Sequence, residues 1–488
     1  MSGISRRDFM KNSIGATVTA GSMSSIIKPL FSQVSGSNQT IHMAVVGFHS
    51  KGRQHIEKFH QHPNARVVAL CDVDEEVLNR EKEKFSKRNE PVKIYRDVRR
   101  LLDDKDIDAV AVATPDHWHV LMGIWTCQAG KHLYIEKPVS LFIDESHKLV
   151  QAAQKYNCIV QAGTQNRSDV GFRQAVDYIK SGNIGAIKWA QGIWYKDRDC
   201  LDTFSRPQPV PPYIDYNLWS GPAPLKPLTR SRVHYDWHWF WDYGTGEMGN
   251  LGVHQIDDCR FALGLQGYPR RIMSFGGRYA WNDCGETPNT HIALLDYDDF
   301  YLVIDLRNLP TATGVNSMDH FRGTRMGNVI QGEKGYFVGG RGGGWIYDNS
   351  GKKQKPFPGD GGGLHQANFI DALQNNDPGR MHAPLMQGHI SSMCCHIANI
   401  SYKLGDDIHI SELQQALPAD SAVQHAAERF GQHLQKNSVN ADKNTVRLGP
   451  WLTFDDKSGC FNGAYAGRAN ALSGRELYRY PFCLPEEV

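Results

Sequence analysis

Gly47-Phe48-His49-Ser50-Lys51-Gly52 is a glycine-bracketed turn of the kind that holds a phosphate. A short apolar run, residues 41–46, leads into it, and residues 54–60 read as a helix behind it. Gly47 permits the tight turn, and Gly52 permits close helix–strand packing. Backbone N–H groups at the helix start, around Ser50, are then free to hold a pyrophosphate. His49 stands where the pattern G-x-G-x-x-G has its middle glycine. A second apolar run, residues 65–71, ends in Asp72, 25 residues after Gly47. A carboxylate there can accept hydrogen bonds from ribose hydroxyls and repel a 2′-phosphate, which favours NAD over NADP. Asp74 reads as the cap of the next helix.

These residues need a scaffold, and the following 90 residues supply it. Apolar runs at 109–113, 132–135 and 159–162 alternate with helical spacing at 75–86, 119–129 and 144–156. Strands alternating with helices make a parallel, doubly wound sheet, whose ligands sit beyond the carboxyl ends of the strands. Polar motifs stand at those ends: Thr114-Pro115-Asp116-His117 and Glu136-Lys137-Pro138. The expected cofactor contacts are Gly47, His49, Ser50, Gly52 and Asp72. At the further strand ends they are Thr114, Pro115, His117, His119, Glu136, Lys137 and Gln165.

Five stretches together resemble the Gfo/Idh/MocA family, which includes glucose–fructose oxidoreductase and inositol dehydrogenase. They are Gly47 to His55, Cys71-Asp72-Val73, Thr114 to His119, Glu136-Lys137-Pro138, and Gly252-Val253-His254-Gln255-Ile256-Asp257. The resemblance covers roughly residues 40–410. It is nearest to an exported subset that also shows late segments like Leu448 to Phe454 and Tyr478 to Phe482. The resemblance implies that Lys137 points at the nicotinamide and the reacting carbinol, where its ammonium can relay a proton. It implies a proton-handling role for His254. Family members often place an aspartate four residues before this histidine, on the same helix face. Here that position is Asn250, an amide that can orient substrate or hydrogen-bond His254 but cannot act as acid or base. Asp257 is then a candidate to orient the imidazole, or a cap or surface residue. The family also carries a large open sheet after the nucleotide domain, with helices towards the site and a second face used for oligomerisation.

The residues after 163 agree with such a sheet. Runs at 187–195, 271–279, 290–297, 300–308 and 328–331 follow one another without intervening helices, which suggests antiparallel pairing. The expected organisation is a leader and linker at 1–38, a Rossmann domain at 39–163, an α+β domain at 164–425 and an extension at 426–488. Two tracts, Trp194 to Arg198 and Asp236 to Asp242, mix aromatics with charges. Sugars present apolar ring faces and a girdle of hydroxyls, which suits such tracts. Tyr195, Lys196, Arg198 and His238 are the expected substrate contacts; the tryptophans serve equally well as packing. No recognised ligand spacing supports a metal site, and ten cysteines without a Cys-x-x-Cys pair read as buried thiols.

The chain has 488 residues, 40% hydrophobic and 22% charged, with a net charge of +2. Global disorder is excluded. The first 38 residues hold Arg6, Arg7, Lys11 and Lys28 against Asp8 alone, so the rest is close to neutral. That excludes bulk attraction to nucleic acid or an anionic membrane as the main activity. Ser5-Arg6-Arg7-Asp8-Phe9-Met10-Lys11 resembles a twin-arginine export signal, which carries folded proteins to the periplasm. The expected protein is therefore a periplasmic NAD-dependent oxidoreductase of a carbohydrate or cyclitol, with tightly bound cofactor. No nucleic-acid partner and no membrane association after export are expected, and a homo-oligomer through the second sheet is. The alternatives are a glycoside hydrolase working by oxidation, elimination, addition and reduction, and a sugar-binding protein without activity.

Overall fold

β1 (Ile41–Val46) sends alternate side chains into two cores. Ile41, Met43 and Val45 enter one apolar cluster, and Ala44 and Val46 another. A strand covered on both faces reads as an unbroken apolar run for that reason. The computed structural model describes residues 40–202 and 206–488, so the expected leader lies outside the described residues.

β1 is joined by β2 (Ala65–Cys71), β3 (Lys93–Tyr95), β4 (Ala109–Val112), β5 (His132–Ile135) and β6 (Val160–Ala162) in one parallel sheet, ordered β3-β2-β1-β4-β5-β6. The helices α1 (Lys51–His60), α2 (Glu75–Lys87), α3 (Val98–Leu102), α4 (Asp116–Gln128) and α5 (Ile143–Lys155) connect the strands. The order reverses between β1 and β4, which opens a crevice above their carboxyl ends. Asp74 caps α2, its carboxylate accepting from the Val77 N–H at 3.0 Å. α4 begins at Asp116, three residues earlier than its spacing suggests, because Pro115 sits at the N-cap and pre-sets the turn. Asp116 thereby enters the first helical turn.

The second layer holds α6 (Val170–Lys180), β7 (Ile187–Tyr195), α7 (Tyr216–Ser220), α8 (Val253–Leu263), β8 (Arg271–Gly277), β9 (Thr290–Asp296), β10 (Tyr301–Arg307), β11 (Met326–Gly332), β12 (Tyr336–Gly340), β13 (Gly343–Tyr347) and β14 (Lys353–Pro358). With β15 (Asp406–His409) and β16 (Thr445–Leu448) the strands form a ten-stranded sheet, ordered β14-β13-β12-β11-β7-β10-β9-β8-β16-β15. The sheet is antiparallel except for the β7–β10 pair. β12 to β14 escape sequence patterning because glycines crowd 339–344 and Lys353–Pro358 lies at the edge.

α9 (His365–Gln374) and α10 (Leu385–Leu404) tie the layers together. Phe369, Ile370 and Leu373 of α9 pack on the β1 side of the nucleotide domain. α10 is buried almost throughout. α11 (Leu413–Ala416) and α12 (Ser421–Lys436) cover the other face of the large sheet, with Phe430 against Phe275 and Tyr279. Residue 426 lies inside α12. The chain end returns to the nucleotide domain. Phe482 is buried against Trp118 of α4, ring centroids 5.3 Å apart, and Arg479 Nε donates to the Gly221 carbonyl at 3.0 Å. Phe482→Ala is expected to lower unfolding free energy by about 3 kcal/mol, the low end for a buried phenylalanine. Urea titration checks this, and a loss below about 1 kcal/mol would mean the tail merely rests on the surface.

Candidate functional site

The crevice is a groove of about 400 Å³ walled by the strand ends of the nucleotide domain and by the second layer. Gly47 has φ +74°, and a Cβ there would press on Thr114 and the Ala113 carbonyl. A Cβ on Gly52 would overlap the Gly47 carbonyl. Both glycines are therefore required by packing. Ser50 precedes the first turn of α1, which carries no acidic residue. That leaves the positive end of the helix facing the groove without a competing carboxylate.

Asp72 closes the nucleotide end. Its Oδ2 accepts from the Phe48 N–H at 2.9 Å and its Oδ1 from the Asp74 N–H at 3.1 Å. Each oxygen keeps a second lone pair for a ribose hydroxyl. His49 does not obstruct the turn. Its ring stacks on His234 at 4.4 Å, and His234 Nε2 lies 2.7 Å from Asp74 Oδ2. A loop of the second layer is thus clasped to the nucleotide domain. The Glu75 N–H donates to Tyr213 O and the Asp215 N–H to Val73 O, extending that clasp. Burial and then the His234 charge hold His49 below its ordinary pKa.

The reacting end is built on Glu136 and Lys137, at the end of β5. Glu136 is buried, and its Oε1 lies 2.9 Å from His55 Nε2 and 2.7 Å from Gln165 Nε2. Burial would raise its pKa. Lys51, His55 and Lys137 outweigh burial and hold the carboxyl far below its usual range. Lys137 crosses to the other wall: Nζ donates to Asn250 O at 2.7 Å and Asn250 Oδ1 at 3.2 Å. Burial lowers its pKa, with Glu136 and Asp116 opposing. Asn250 lies in a single π-helical turn, Met248–Gly252, that precedes α8. Its Nδ2 donates to Glu247 Oε2 at 3.2 Å, and Glu247 Oε1 accepts from Arg198 Nε at 2.9 Å. Burial opposes ionisation of Glu247, but Arg198 and His238 prevail and keep it a carboxylate.

His254 faces this group from α8, stacked on Trp194 at 5.9 Å. Its ring nitrogens make no hydrogen bond among the described residues. Burial and then the Lys137 charge pull its pKa down to about 3, so the ring is neutral at ordinary pH. A ring so hard to protonate serves better as a hydrogen-bond partner than as a base. Asp116 is the group sequence reasoning passed over. It lines the groove, is buried, and accepts from Thr245 Oγ1 at 2.8 Å. Burial raises its pKa to about 7, against the pull of Lys137. It is a carboxyl poised near neutrality beside an ammonium, the condition for proton exchange. Its position, directly after a strand end and inside the first turn of α4, was the available signal.

Most expected contacts line the groove: Gly47, His49, Ser50, Asp72, Thr114, Pro115, His119, Glu136, Lys137, Gln165, Lys196, Arg198, His238, Asn250 and His254. The buried Thr114 hydroxyl has no partner among the described residues. His119 lies between the carbonyls of Thr114 and Pro138, 2.9 and 2.7 Å away, and so braces the strand ends.

Four expectations are corrected. His117 is turned away from the groove, its nitrogens 2.9 Å from Trp219 O and 3.4 Å from Tyr243 O, because its helix position faces the second-layer loop. Tyr195 is buried on the opposite face of the large sheet, donating to Asp305 Oδ2 at 2.6 Å and accepting from Arg429 Nη1. Successive strand residues alternate faces, so Trp194 takes the site and Tyr195 cannot. Asp257 does not orient His254. It accepts from Arg167 at 2.7 and 3.0 Å and from Ser391 Oγ at 2.8 Å, within the helical core. Asn250 likewise pairs with Lys137, not with His254.

The match to known proteins follows the same division. Residues 41–164 match the model described as the oxidoreductase family, NAD-binding Rossmann fold, and residues 184–273 match the C-terminal alpha/beta domain of that family. The chain belongs to the Gfo/Idh/MocA oxidoreductase family. Its Rossmann domain binds NAD, and the glycine turn, the uncontested helix end and Asp72 are the residues here that fit the dinucleotide.

Among similar proteins, a glycosyl hydrolase family 109 protein of Shewanella sp. (strain ANA-3) is 31% identical over 183 residues, 33% of this chain and 39% of its own. A myo-inositol 2-dehydrogenase of Thermotoga maritima is 28% identical over 179 residues, 37% of this chain and 49% of its own. The chain thus spans about half the length, or less, of these curated relatives. The fold also matches the WlbA dehydrogenase of Bordetella pertussis, solved with NADH and UDP-GlcNAcA. The TM-score is 0.53 at 18% identity, over 72% of this chain and 94% of that one.

For this Gfo/Idh/MocA protein the pH profile reports the acid. Below about pH 7 Asp116 is protonated and cannot accept a proton; above it the carboxylate can. kcat/KM is expected to rise through about pH 7, and Asp116→Asn to abolish that limb while NAD still binds. An unchanged limb in the variant would assign it elsewhere.

Proposed function

We propose that this protein is an NAD-dependent oxidoreductase that oxidises a hydroxyl of a carbohydrate or cyclitol, a glycoside at C3 being one case. One observation carries the reading: Lys137, neighboured by Asp116, is hung on Asn250 across the groove wall that also bears a neutral His254. Held by the glycine turn, the start of α1 and Asp72, NAD would supply a hydride acceptor for the carbinol carbon. Lys137 spends two of its hydrogens on Asn250 and has a third for the substrate oxygen. Transfer of that third proton to the Asp116 carboxylate leaves a lone pair on Lys137, which then accepts the hydroxyl proton, so the net transfer is from substrate to Asp116. His254 orients the same hydroxyl, and the Trp194 ring behind it fixes that imidazole. Glu136 stays ionised and keeps Lys137 cationic enough to return a proton.

The likeness to family 109 proteins favours a second reading, net hydrolysis of a glycoside. The same wall would then also remove a proton from the carbon beside the oxidised one. A keto-sugar with its glycosidic bond intact supports the first reading, and a free reducing sugar the second.

The export reading belongs to the same proposal and rests on residues 5–11. A periplasmic enzyme has no useful NAD pool to draw on, so the cofactor must leave with the folded chain and stay. The clasp of His49, His234 and Asp74 over the groove supports retention. Self-association through the outer face of the large sheet is proposed on the exposed Trp345 of β13.

Lys137→Ala, which removes the acid–base group, and His254→Ala, which removes the group that orients the hydroxyl, are each expected to lower turnover by at least about 100-fold with folding intact. Near-wild-type turnover in either would remove that residue from the site. Protein purified without added cofactor is expected to release NAD or NADH in near-stoichiometric amount on acid denaturation. An empty protein, active only with millimolar NAD supplied, would contradict the export reading.

A further inference from the structure

The two walls of the groove differ in charge. The carboxylates lining it, Asp72, Asp97, Asp116 and Glu136, all come from the nucleotide domain. Among the described residues, the second layer contributes Lys196, Arg198 and Arg341 and no carboxylate. Glu247 stands behind that wall, already engaged by Arg198 and Asn250. The Tyr235 hydroxyl accepts from Arg198, and Asn250 Oδ1 accepts from Lys137. The wall therefore offers donors and has few free acceptors.

A neutral sugar needs both, because each hydroxyl donates as well as accepts. A carboxylate or sulfate only accepts. Lys196 Nζ and the Arg341 guanidinium make no hydrogen bond or ion pair among the described residues, so two cations await a partner. Their backbones are pinned. The Lys196 N–H donates to Arg307 O at 2.9 Å, and Asn308 Nδ2 donates to Lys196 O at 3.0 Å. Beside Arg341, the Gly342 N–H donates to Asp169 Oδ2 at 3.0 Å. Lys196 lies two residues beyond Trp194, whose ring stacks on His254. This places it at the reacting end, away from the glycine turn where the pyrophosphate of NAD belongs.

We propose that the substrate is an acidic sugar, one whose carboxylate or sulfate ester is bound by Lys196 and Arg341. This rests on the oxidoreductase reading and names its substrate class. Charge-assisted contacts of this kind are stronger than those between neutral groups, and Arg341 can hold a carboxylate through two parallel N–H donors.

The test uses the NAD-loaded protein with three matched glycosides: the neutral hexoside, its uronate and its 6-sulfate. The better anionic substrate is expected to exceed the neutral one in kcat/KM by at least about 10-fold at low salt, a lead that shrinks as salt screens it. The arm with the larger gain separates carboxylate from sulfate. Lys196→Gln and Arg341→Gln should each shrink the anionic-to-neutral ratio several-fold, mainly through KM, without loss of bound NAD. Faster turnover of the neutral hexoside, or an unchanged ratio in both variants, overturns the acidic-sugar proposal and leaves the oxidoreductase standing. Loss of NAD without a change in ratio assigns these cations to the cofactor and also overturns it. No turnover of any of the three overturns the proposed function itself.

Discussion

A half-buried ammonium that must be satisfied from two sides organises this molecule. Lys137 leaves the end of β5, loses most of its water, and regains partners only by reaching Asn250 in the opposite layer. An unpaired charge at that depth would be costly, so the two layers are held in the one arrangement that pairs it. Glu136 supplies the counter-charge from the same strand end and is itself held by His55 and Gln165. The same carboxylate thus links α1, the β5 end and the first residues of the second layer. Asn250 in turn is held by Glu247, and Glu247 by Arg198.

In this arrangement the proposed proton transfer runs without a carboxylate at position 250. Asn250 fixes the ammonium. The titratable carboxyl is moved across the groove to Asp116, where burial lifts it to about 7. Acid and base positions are thus divided between the layers: the nucleotide domain holds the groove's carboxyls, and the second layer holds the neutral imidazole and the free cations. Separating them keeps Asp116 from being neutralised by a direct partner, since the side-chain hydrogen bond it accepts among the described residues comes from a hydroxyl.

The nucleotide end follows a different logic, shape rather than charge. Two glycines are forced by backbone proximity, and His49 is tolerated because it stacks outward on His234. The second layer therefore touches the first at both ends of the groove, through a clasp over the nucleotide and through Lys137 at the reacting centre. α10 between the layers and the returning tail with Phe482 make that closure part of the core.

The parallel sheet, its strand ends, Asp72, the glycine turn and Lys137 were legible in the sequence. Buried parallel strands leave unbroken apolar runs, and the polar residues that end them stand where the ligand must be. The large sheet was legible only where its strands were apolar; β12 to β14 were hidden by glycine and edge charge. The sequence also named His254 and Asn250 but not what they touch. Tertiary structure alone decided that Tyr195 turns away while Trp194 faces the site, since one residue of register reverses a side chain. It alone assigned Asp257 to Arg167, turned His117 aside, and raised Asp116 into the titrating range. Periodicity and motif spacing are properties of neighbours along the chain. Burial and charge pairing belong to neighbours in space, and Asn250 and Lys137 stand 113 residues apart.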